Sequence, residues 1–262
     1  MSYGALQVAR TGLDAQSFRM QVIANNLANV NTTGFKRDRA NFETLGYQIM
    51  TQAGAPSSAE NRYATGLNLG TGVELAGTSR MDTQGTLQTT GNALDVAIEG
   101  AGYFQVQMPD GRMGYTRAGN FNRSPDGTII TPDGKPIQPQ IQIPEDATGI
   151  SIGADGTVSA TIAGQSEATE LGRIEIARFV NPSGLQAIGD NILVETAASG
   201  TPLVGAAGVE GRGMLRGGML EGSNVNVVEE LVDMIETQRA YEVNSKMIQA
   251  TDEMMKNATQ TL

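Results

Sequence analysis

Four Asp-Gly pairs are the first places in this chain where side-chain chemistry could be sought. They are Asp110-Gly111, Asp126-Gly127, Asp133-Gly134 and Asp155-Gly156. A calcium loop needs five or more oxygen ligands at close spacing, and each of these pairs offers one carboxylate. Asp-Gly also favours tight hairpin turns, because both residues tolerate positive φ. The pairs therefore predict turns between strands rather than calcium sites.

The composition excludes most other site chemistry. The 262 residues include no Cys and no His, so the thiol nucleophile, the imidazole base and the two best zinc ligands are missing. No G-x-S-x-G elbow or P-loop occurs, and Gly100-Ala101-Gly102 leads into a strand pattern rather than a phosphate-binding helix. A carboxylate pair of the glycosidase kind stays open, but nothing selects one. We predict a non-enzymatic protein with no catalytic residue, no cofactor and no metal.

The charge and hydropathy of the chain restrict its partners. A net charge of −10, with one short basic group at Lys36, Arg37 and Arg39, argues against nucleic acid. No stretch approaches 18 apolar residues, so we expect no insertion into a membrane. The first 20 residues lack a basic region followed by an apolar run, so we expect either a cytoplasmic protein or export without a cleaved signal peptide.

Apolar residues recur at alternating steps of three and four near both ends of the chain, as they do along one face of a helix. The N-terminal pattern predicts a helix over about residues 3–30, followed by Gly34 in the left-handed conformation. The C-terminal pattern predicts a helix over residues 226–262 with Ser223-Asn224 as its N-cap.

The middle of the chain is typical of strands and turns. Phe104 and Val106 alternate with Gln105 and Gln107, which predicts a half-buried strand with one wet face. The same alternation recurs at Ile141, Ile143, Ile174 and Ile176. Because aromatic residues make up only 5% of the chain, we expect a core of Ile, Val, Leu and Met. We predict an antiparallel sandwich or barrel-like β domain.

The predicted fold class is therefore α+β. The N- and C-terminal helices, residues 1–34 and 223–262, pair as a coiled-coil-like assembly domain. Residues 35–66 form a connecting region with an extended hairpin or loop, and residues 67–222 form the central, mainly antiparallel β domain.

Two readings of the terminal helices are open: they pack on the β domain, or they pair with each other and with copies of the chain. Their lengths of about 40 and 50 Å favour the second reading. Polar residues in both patterns suit a wall of several helices, in which polar groups pair across copies. These polar residues are Gln16, Gln238, Ser245 and Asp252.

Charge and the asparagines support this reading. Residues 1–45 carry five bases and three acids, whereas residues 221–262 carry three bases and eight acids, and opposite charges orient association. Asn25 and Asn26 lie inside the first helix, where asparagine is unfavourable, so we predict that they pack through hydrogen bonds. The candidate assembly residues are Leu6, Leu13, Met20, Ile23, Asn25, Asn26, Leu27, Leu231, Met234, Gln238, Tyr241, Ile248 and Met255.

Three segments resemble signature sequences of the bacterial flagellar axial proteins, the rod and hook family. Residues 23–36 read IANNLANVNTTGFK, residues 91–104 read GNALDVAIEGAGYF, and residues 221–232 read EGSNVNVVEELV, followed by QRAYE at 238–242. The chain length and residues 117–121, RAGNF, are most similar to the long rod subunits of that family. Another long rod subunit or a hook-type subunit stays an alternative.

The resemblance implies a structural subunit that self-assembles into a helical filament, a tube that transmits torque. Its implied partners are copies of itself, proximal rod subunits, hook or junction subunits, and the ring proteins at the peptidoglycan and the outer membrane. It also implies export by the flagellar type III apparatus into the periplasm. In this family, the stretch corresponding to Tyr47 to Ala64 forms an extended hairpin associated with stiffness.

Two other classes of protein are alternatives. One is a surface adhesin or carbohydrate-binding β module whose helical ends serve oligomerisation. The other is a hydrolase that acts on peptidoglycan.

Overall fold

The computed structural model of the chain describes residues 2–56, 62–162 and 168–260. A long helix lies at each end of the chain and the strands lie between them, which confirms the α+β class. The helices are α1 (Ser2–Ala28) and α2 (Val227–Gln260). The first ten strands are β1 (Asp38–Thr44), β2 (Tyr47–Thr51), β3 (Leu67–Gly70), β4 (Val73–Arg80), β5 (Leu87–Thr89), β6 (Val96–Glu99), β7 (Tyr103–Gln107), β8 (Met113–Thr116), β9 (Asn122–Arg123) and β10 (Ile129–Ile130). The others are β11 (Ile137–Gln138), β12 (Ala147–Ile152), β13 (Thr157–Ile162), β14 (Thr169–Arg173), β15 (Glu175–Arg178), β16 (Gln186–Gly189), β17 (Ile192–Val194), β18 (Leu203–Ala206), β19 (Met214–Gly217) and β20 (Met219–Glu221).

The chain divides into two compact units. The helical unit contains the described parts of Met1–Leu27, Asp38–Ser79 and Val227–Leu262, and the β unit contains Ala28–Arg37 and Arg80–Asn226. Residues 28–34, grouped from the sequence with the terminal helices, lie in the β unit. Residues 67–79, grouped with the β domain, lie in the helical unit, because β3 and β4 pair with β2 and β1.

The helical unit includes a two-stranded ribbon. In it β1 pairs with β4, and β2 pairs with β3 in antiparallel register, with Tyr47 opposite Gly70 and Gln48 opposite Leu69. The stretch Tyr47 to Ala64 therefore begins with β2 and ends before β3. Residues 57–61 of that stretch lie outside the described residues.

The β unit is built around a seven-stranded sheet in the order β16-β17-β8-β7-β15-β18, with β11 also paired to β7. Neighbouring strands in this sheet are antiparallel, as predicted. A second sheet consists of β12, β13 and β14, and three two-stranded pairs are formed by β5 with β20, β6 with β19, and β9 with β10.

Strand β7 is covered on both faces, so the prediction of one wet face is wrong for it. Phe104 and Val106 lie in a large cluster of mostly Ile and Val side chains. Tyr103 lies on the opposite face, where its ring makes an edge contact with Phe179 at a centroid distance of 6.0 Å. Gln105 on that same face is only 7% exposed. An aromatic cluster from strands distant in sequence thus shields the face expected to be wet.

The Asp-Gly pairs form hairpin turns, as predicted. At the first of them the Gly111 amide donates to Met108 O at 2.9 Å, and the Met108 amide donates to Arg112 O at 3.0 Å. Positive φ is confined to the glycine of each pair: Gly111, Gly127, Gly134 and Gly156. This is the pattern of a type I turn followed by a bulged glycine, so the aspartates need no left-handed conformation.

Helix α1 ends at Ala28, and Gly34 adopts a φ of +69°, which confirms its predicted left-handed conformation. Helix α2 begins at Val227 with Glu229 and Glu230 in its first turn, where the helix dipole favours anions. The predicted N-cap at Ser223-Asn224 is wrong, because both residues precede the helix by more than two positions and Asn224 bonds elsewhere. Residues 261 and 262 lie outside the described residues. In the described chain, no helix combines the length and the apolar character needed to cross a membrane.

Two turn glycines with the same backbone conformation allow a matched test of this packing. Gly127 and Gly134 both have a φ of +81°, but a Cβ on Gly127 would lie 2.4 Å from Ile143 O, whereas one on Gly134 would contact nothing within 4 Å. We expect Gly134→Ala to lower the free energy of unfolding by about 1–2 kcal/mol through backbone strain alone. Gly127→Ala should cost roughly 1–3 kcal/mol more, through the steric clash. Urea unfolding followed by the near-ultraviolet signal of the buried tyrosines measures both free energies. Equal losses of stability in the two variants would contradict the close packing of Gly127 against Ile143 O.

Candidate assembly interface

Helices α1 and α2 meet within the helical unit through side chains. Asn26 Nδ2 lies 3.3 Å from Glu230 Oε2, and Arg19 Nη2 lies 3.4 Å from Asp233 Oδ1. Further along, a Cβ on Gly12 would lie 3.1 Å from the Asn244 amide nitrogen, so the helices approach closely there. These contacts occur in opposite order along the two helices, which therefore run antiparallel.

Asn26 joins both helices to the ribbon. The Asp38 amide donates to Asn26 Oδ1 at 3.0 Å, and Asn26 Nδ2 donates to Asp38 O at 2.9 Å. The residue is 1% exposed, so these bonds replace water at a buried site. The predicted packing of Asn26 through hydrogen bonds is confirmed, whereas Asn25 next to it is exposed.

The fully buried residues of α2 are polar. Glu230, Thr237 and Thr251 are buried, and both threonines bond back to carbonyl groups one turn earlier. Glu230 and Thr237 lie one heptad apart, and Thr251 follows two heptads later on the same face. On α1 the buried Ala9 similarly offers little bulk.

The candidate assembly residues lie mostly beside this buried side rather than on it. The structure buries Ile23 and Asn26, half-buries Leu6, Leu13, Met20, Leu27, Met234, Ile248 and Met255, and exposes Asn25, Leu231, Gln238 and Tyr241. Leu231 and Tyr241 remain 43% and 42% exposed. Much of the predicted apolar pattern on α2 thus remains available to a partner.

A second row of apolar residues on α2 was missed from the sequence. It consists of Val228, Val232, Ile235, Val243, Met247 and Met254, all of them exposed. Their steps of three and four are interrupted by charged residues such as Arg239 and Glu242, which hides the pattern in the sequence. Together the two rows give α2 an exposed apolar surface along most of its length.

The ribbon also exposes apolar side chains. Tyr47 and Ile49 on β2 are each 62% exposed, and Leu67 and Leu69 on β3 are exposed as well. An isolated two-stranded hairpin is marginally stable in water. A partner that covers these side chains would therefore stabilise it.

In the β unit, a buried carboxylate binds two cations from distant parts of the chain. Glu221 Oε1 lies 2.7 Å from Lys36 Nζ, and Glu221 Oε2 lies 2.6 Å from Arg117 Nε. None of the three side chains is more than 5% exposed. We call Lys36, Arg117 and Glu221 the ion cluster.

Main-chain groups add further hydrogen bonds to the ion cluster. The Arg117 guanidinium donates to three carbonyl oxygens of the segment that leads into β7, those of Ile98, Gly100 and Gly102. Lys36 Nζ also donates to Thr83 O at 2.7 Å, and the Gly85 amide donates to Glu221 Oε1 at 2.9 Å. Pairing of charges with one another and with main-chain groups is what permits them to be buried.

The electrostatics of the cluster follow from burial and pairing. Burial alone would raise the pKa of Glu221, but the charges of Arg117 and Lys36 and their hydrogen bonds hold it below its usual value of 4.5. Burial lowers the pKa of Lys36, against the opposing effect of its bond to Glu221. The carboxylate is the form that the folded protein favours.

Residues 28–37 form a strap that carries Lys36 into the β unit. The Gly34 amide donates to Glu221 O at 2.8 Å, and Asn191 Nδ2 donates to Thr33 O at 3.3 Å. A Cβ on Gly34 would lie 2.7 Å from Ala118 N, and its φ is positive, so glycine is required there for two reasons. The end of the first signature segment is therefore part of the β unit and not simply a helix stop.

Two of the four turn aspartates accept hydrogen bonds from residues of their own turns. Asp110 accepts bonds from the Arg112 amide and guanidinium, and Asp155 accepts bonds from the Thr157 amide and hydroxyl. These bonds lower the pKa of both carboxyls. Among the described residues, Asp and Glu side chains form no group of three or more that could hold a metal ion.

Comparisons with known proteins match almost the whole chain. Three family models match: "Flagella basal body rod protein" over residues 6–36, "Flagellar hook protein FlgE/F/G D1 domain" over residues 97–160, and "Flagellar basal body rod FlgEFG protein C-terminal" over residues 216–261. None of these descriptions is that of a catalytic domain.

Full-length relatives agree with these matches. The "Flagellar basal-body rod protein FlgG" of Buchnera aphidicola subsp. Acyrthosiphon pisum is 50% identical over 256 residues, which cover 98% of each chain. The protein of the same name from Bacillus subtilis is 38% identical over 94% of each chain. The "Flagellar basal-body rod protein FlgF" of Caulobacter vibrioides is 34% identical over 93% of this chain and 91% of its own.

Each of the three matched segments contributes one member of the ion cluster. Lys36 is the last residue of the first segment, Arg117 lies in the second and Glu221 lies in the third. The cluster thus joins all three segments inside one folded unit.

A glutamine at position 221 tests the ion cluster. Glu221→Gln would keep the shape of the side chain but leave Lys36 and Arg117 buried beside a neutral amide. We expect the free energy of unfolding at pH 7 to fall by about 3–5 kcal/mol. The matched control is Glu99→Gln, since Glu99 pairs with Arg216 at a similar distance of 2.7 Å but both side chains are about half exposed. The control should change stability by no more than about 1 kcal/mol.

The loss of stability caused by Glu221→Gln should depend on pH. Because the folded-state pKa of Glu221 is lowered, its contribution to stability is fully present above pH 4.5 and is lost as the pH falls further. The difference between wild type and Glu221→Gln should therefore shrink below pH 4.5. Chemical unfolding at several pH values measures it, and a difference that is the same at every pH would contradict the assignment.

Proposed function

The chain belongs to the family of flagellar basal-body rod proteins, and we propose that it is a structural subunit of the distal rod, which transmits torque from the motor to the hook. The FlgG-named relatives of Buchnera and Bacillus support the distal rod, because they match over nearly the full length of both chains. The FlgF-named relative is less similar, at 34% identity, so another long rod subunit is the weaker assignment.

The observation that carries this proposal is the exposed apolar surface of α2. This surface consists of Leu231 and Tyr241 from the predicted pattern and of the second row. These side chains are too exposed to stabilise the fold of a single chain. A second copy that covers them would remove this surface from water. We infer that α1 and α2 pair in a coiled-coil-like manner in the assembled tube and that neighbouring copies complete their packing.

Repetition of such a contact makes a filament. A surface of α2 that binds a different surface on the next copy is a heterologous interface, and copies joined by a rotation that does not close form a helix. In this proposal the helical unit acts as the assembly domain, and the β unit forms the body of the subunit. The candidate assembly residues identified from the sequence are the proposed contacts.

The proposal also specifies the surroundings of the protein. Copies of the chain would join proximal rod subunits at one end and hook or junction subunits at the other. Ring proteins at the peptidoglycan and the outer membrane would surround the rod in the periplasm. The subunit would reach this place through the flagellar type III apparatus.

Point substitutions in α2 test the assembly. We expect Leu231→Ser and Tyr241→Ser to raise the critical concentration for polymerisation at least tenfold, because each removes about 1.5–3 kcal/mol of apolar burial per contact. Val180→Ser is the control, since Val180 is 82% exposed in the β unit. Sedimentation of each protein over a range of concentrations gives the critical value.

Circular dichroism of the monomers must show equal helix content in all three variants, so that a loss of assembly reports the contact and not the fold. If Leu231→Ser and Tyr241→Ser had the same critical concentration for polymerisation as the wild type, the proposed interface would be wrong. Removal of residues 226–262 is the stronger version of the test and should abolish polymerisation.

We propose further that the ribbon bridges neighbouring copies and stiffens the rod. The support is the exposure of Tyr47 and Ile49 on a two-stranded hairpin, which needs cover to be stable. The double variant Tyr47→Ser/Ile49→Ser keeps the backbone pairing of β2 with β3 but removes the apolar side chains. Rods assembled from it, or from a chain with residues deleted between 47 and 64, should bend more in electron micrographs. Equally straight rods from both proteins would show that the ribbon does not stiffen them.

A further inference from the structure

Three segments of the β unit meet at Asn224. The first is the strap, which continues into β1; the second is residues 81–83, which follow β4; and the third is the segment of Asn224 itself, which continues into α2. The chain passes between the two units at four places, and three of these places lie within three residues of Arg37, Met81 and Asn224.

The side chain of Asn224 uses both ends of its amide. Its Oδ1 accepts a bond from the Arg37 amide at 2.7 Å. Its Nδ2 lies 2.9 Å from Met81 O, 3.1 Å from Thr83 O and 2.9 Å from Thr83 Oγ1. A backbone donor on one side and carbonyl acceptors on the other leave one orientation of the amide, which makes the residue specific for this place.

Main-chain bonds complete the same junction. The Asn224 amide donates to Phe35 O at 3.4 Å, and the Met81 amide donates to Arg37 O at 2.8 Å. Lys36 lies between these strap residues and reaches Thr83 O and Glu221. The junction is thus adjacent to the ion cluster but is held by a neutral side chain.

We propose that Asn224 is a positioning residue that holds the strap, residues 81–83 and the segment before α2 together within the β unit, and that it thereby limits the bending of the assembled rod. Its role in stiffness rests on the proposed rod function. If these three segments separate, the β unit of each copy in the rod deforms more easily, and this deformation adds up along the filament.

The variant Asn224→Asp separates the effect of the bond that the side chain accepts from the effect of the bonds that it donates. A carboxylate still accepts the bond from the Arg37 amide, but it cannot donate to the carbonyls of Met81 and Thr83 and is repelled by them. We expect amide hydrogen exchange at Met81 in the monomer to accelerate about tenfold, the effect of losing roughly one hydrogen bond. Rods assembled from this variant should have a shorter persistence length in electron micrographs. Asn224→Ala removes both the accepted and the donated bonds without adding charge, and it replaces Asn224→Asp in both measurements if the aspartate variant does not fold.

Two controls separate positioning from general stability. Asn122→Asp makes the same chemical change at an exposed asparagine of the β unit and should alter neither readout. Gly134→Ala lowers stability through turn strain away from the junction, so its rods should stay as straight as those of the wild type. A merely structural role for Asn224 would make its variants resemble Gly134→Ala.

The outcomes distinguish this inference from the proposed function. Faster exchange at Met81 together with more flexible rods supports the inference. Unchanged exchange, or faster exchange in rods as stiff as the wild type, overturns it while the proposed function stands. If the wild-type protein forms no rods, the proposed function fails, and with it the role of Asn224 in stiffness, whereas exchange at Met81 still decides whether Asn224 holds the segments.

Discussion

A carboxylate can be buried only if positive charge and hydrogen-bond donors replace the water that it loses. Glu221, which is fully buried, meets this condition through Lys36 near the N-terminus, Arg117 in the middle of the chain and the Gly85 amide. The strap, the segment before β7 and strand β20 are all held in place by bonds to these groups. Electrostatic pairing, and not apolar area alone, therefore holds the strap and strand β20 within the β unit.

The parts of the fold that depend on neighbouring residues were predictable. The two helices follow from apolar spacing, and the hairpin turns follow from Asp-Gly pairs, although the proline before three of the pairs favours a type I turn instead of positive φ at Asp. The covered second face of β7 was not predictable, because Tyr103 meets Phe179 across more than 70 residues of sequence. An extended hairpin or loop was predicted for residues 35–66, but the pairing of β1 and β2 with β4 and β3 was not, because β1 and β4 are separated in the chain.

The candidate site was predictable to a similar extent. Asn26 stands out because asparagine is unfavourable inside a helix, and its buried bonds explain why it is there. Asn224 also stands out as a polar residue before a helix, but local rules interpret it as an N-cap, whereas its partners come from two remote segments. The ion cluster has no local signal, because a lone Lys, Arg or Glu in a sequence is most often a surface residue.

The separation of Lys36 from Glu221 by 185 positions has a consequence for the order in which the molecule can form. A chain that emerges from its N-terminus first presents the lysine early and the glutamate only when four-fifths of its length is out. Until then the strap has no carboxylate to bind, and the β unit stays incomplete. Closure of the ion cluster is thus timed by the length of the chain, so that a molecule that has emerged only as far as β19 cannot complete the β unit.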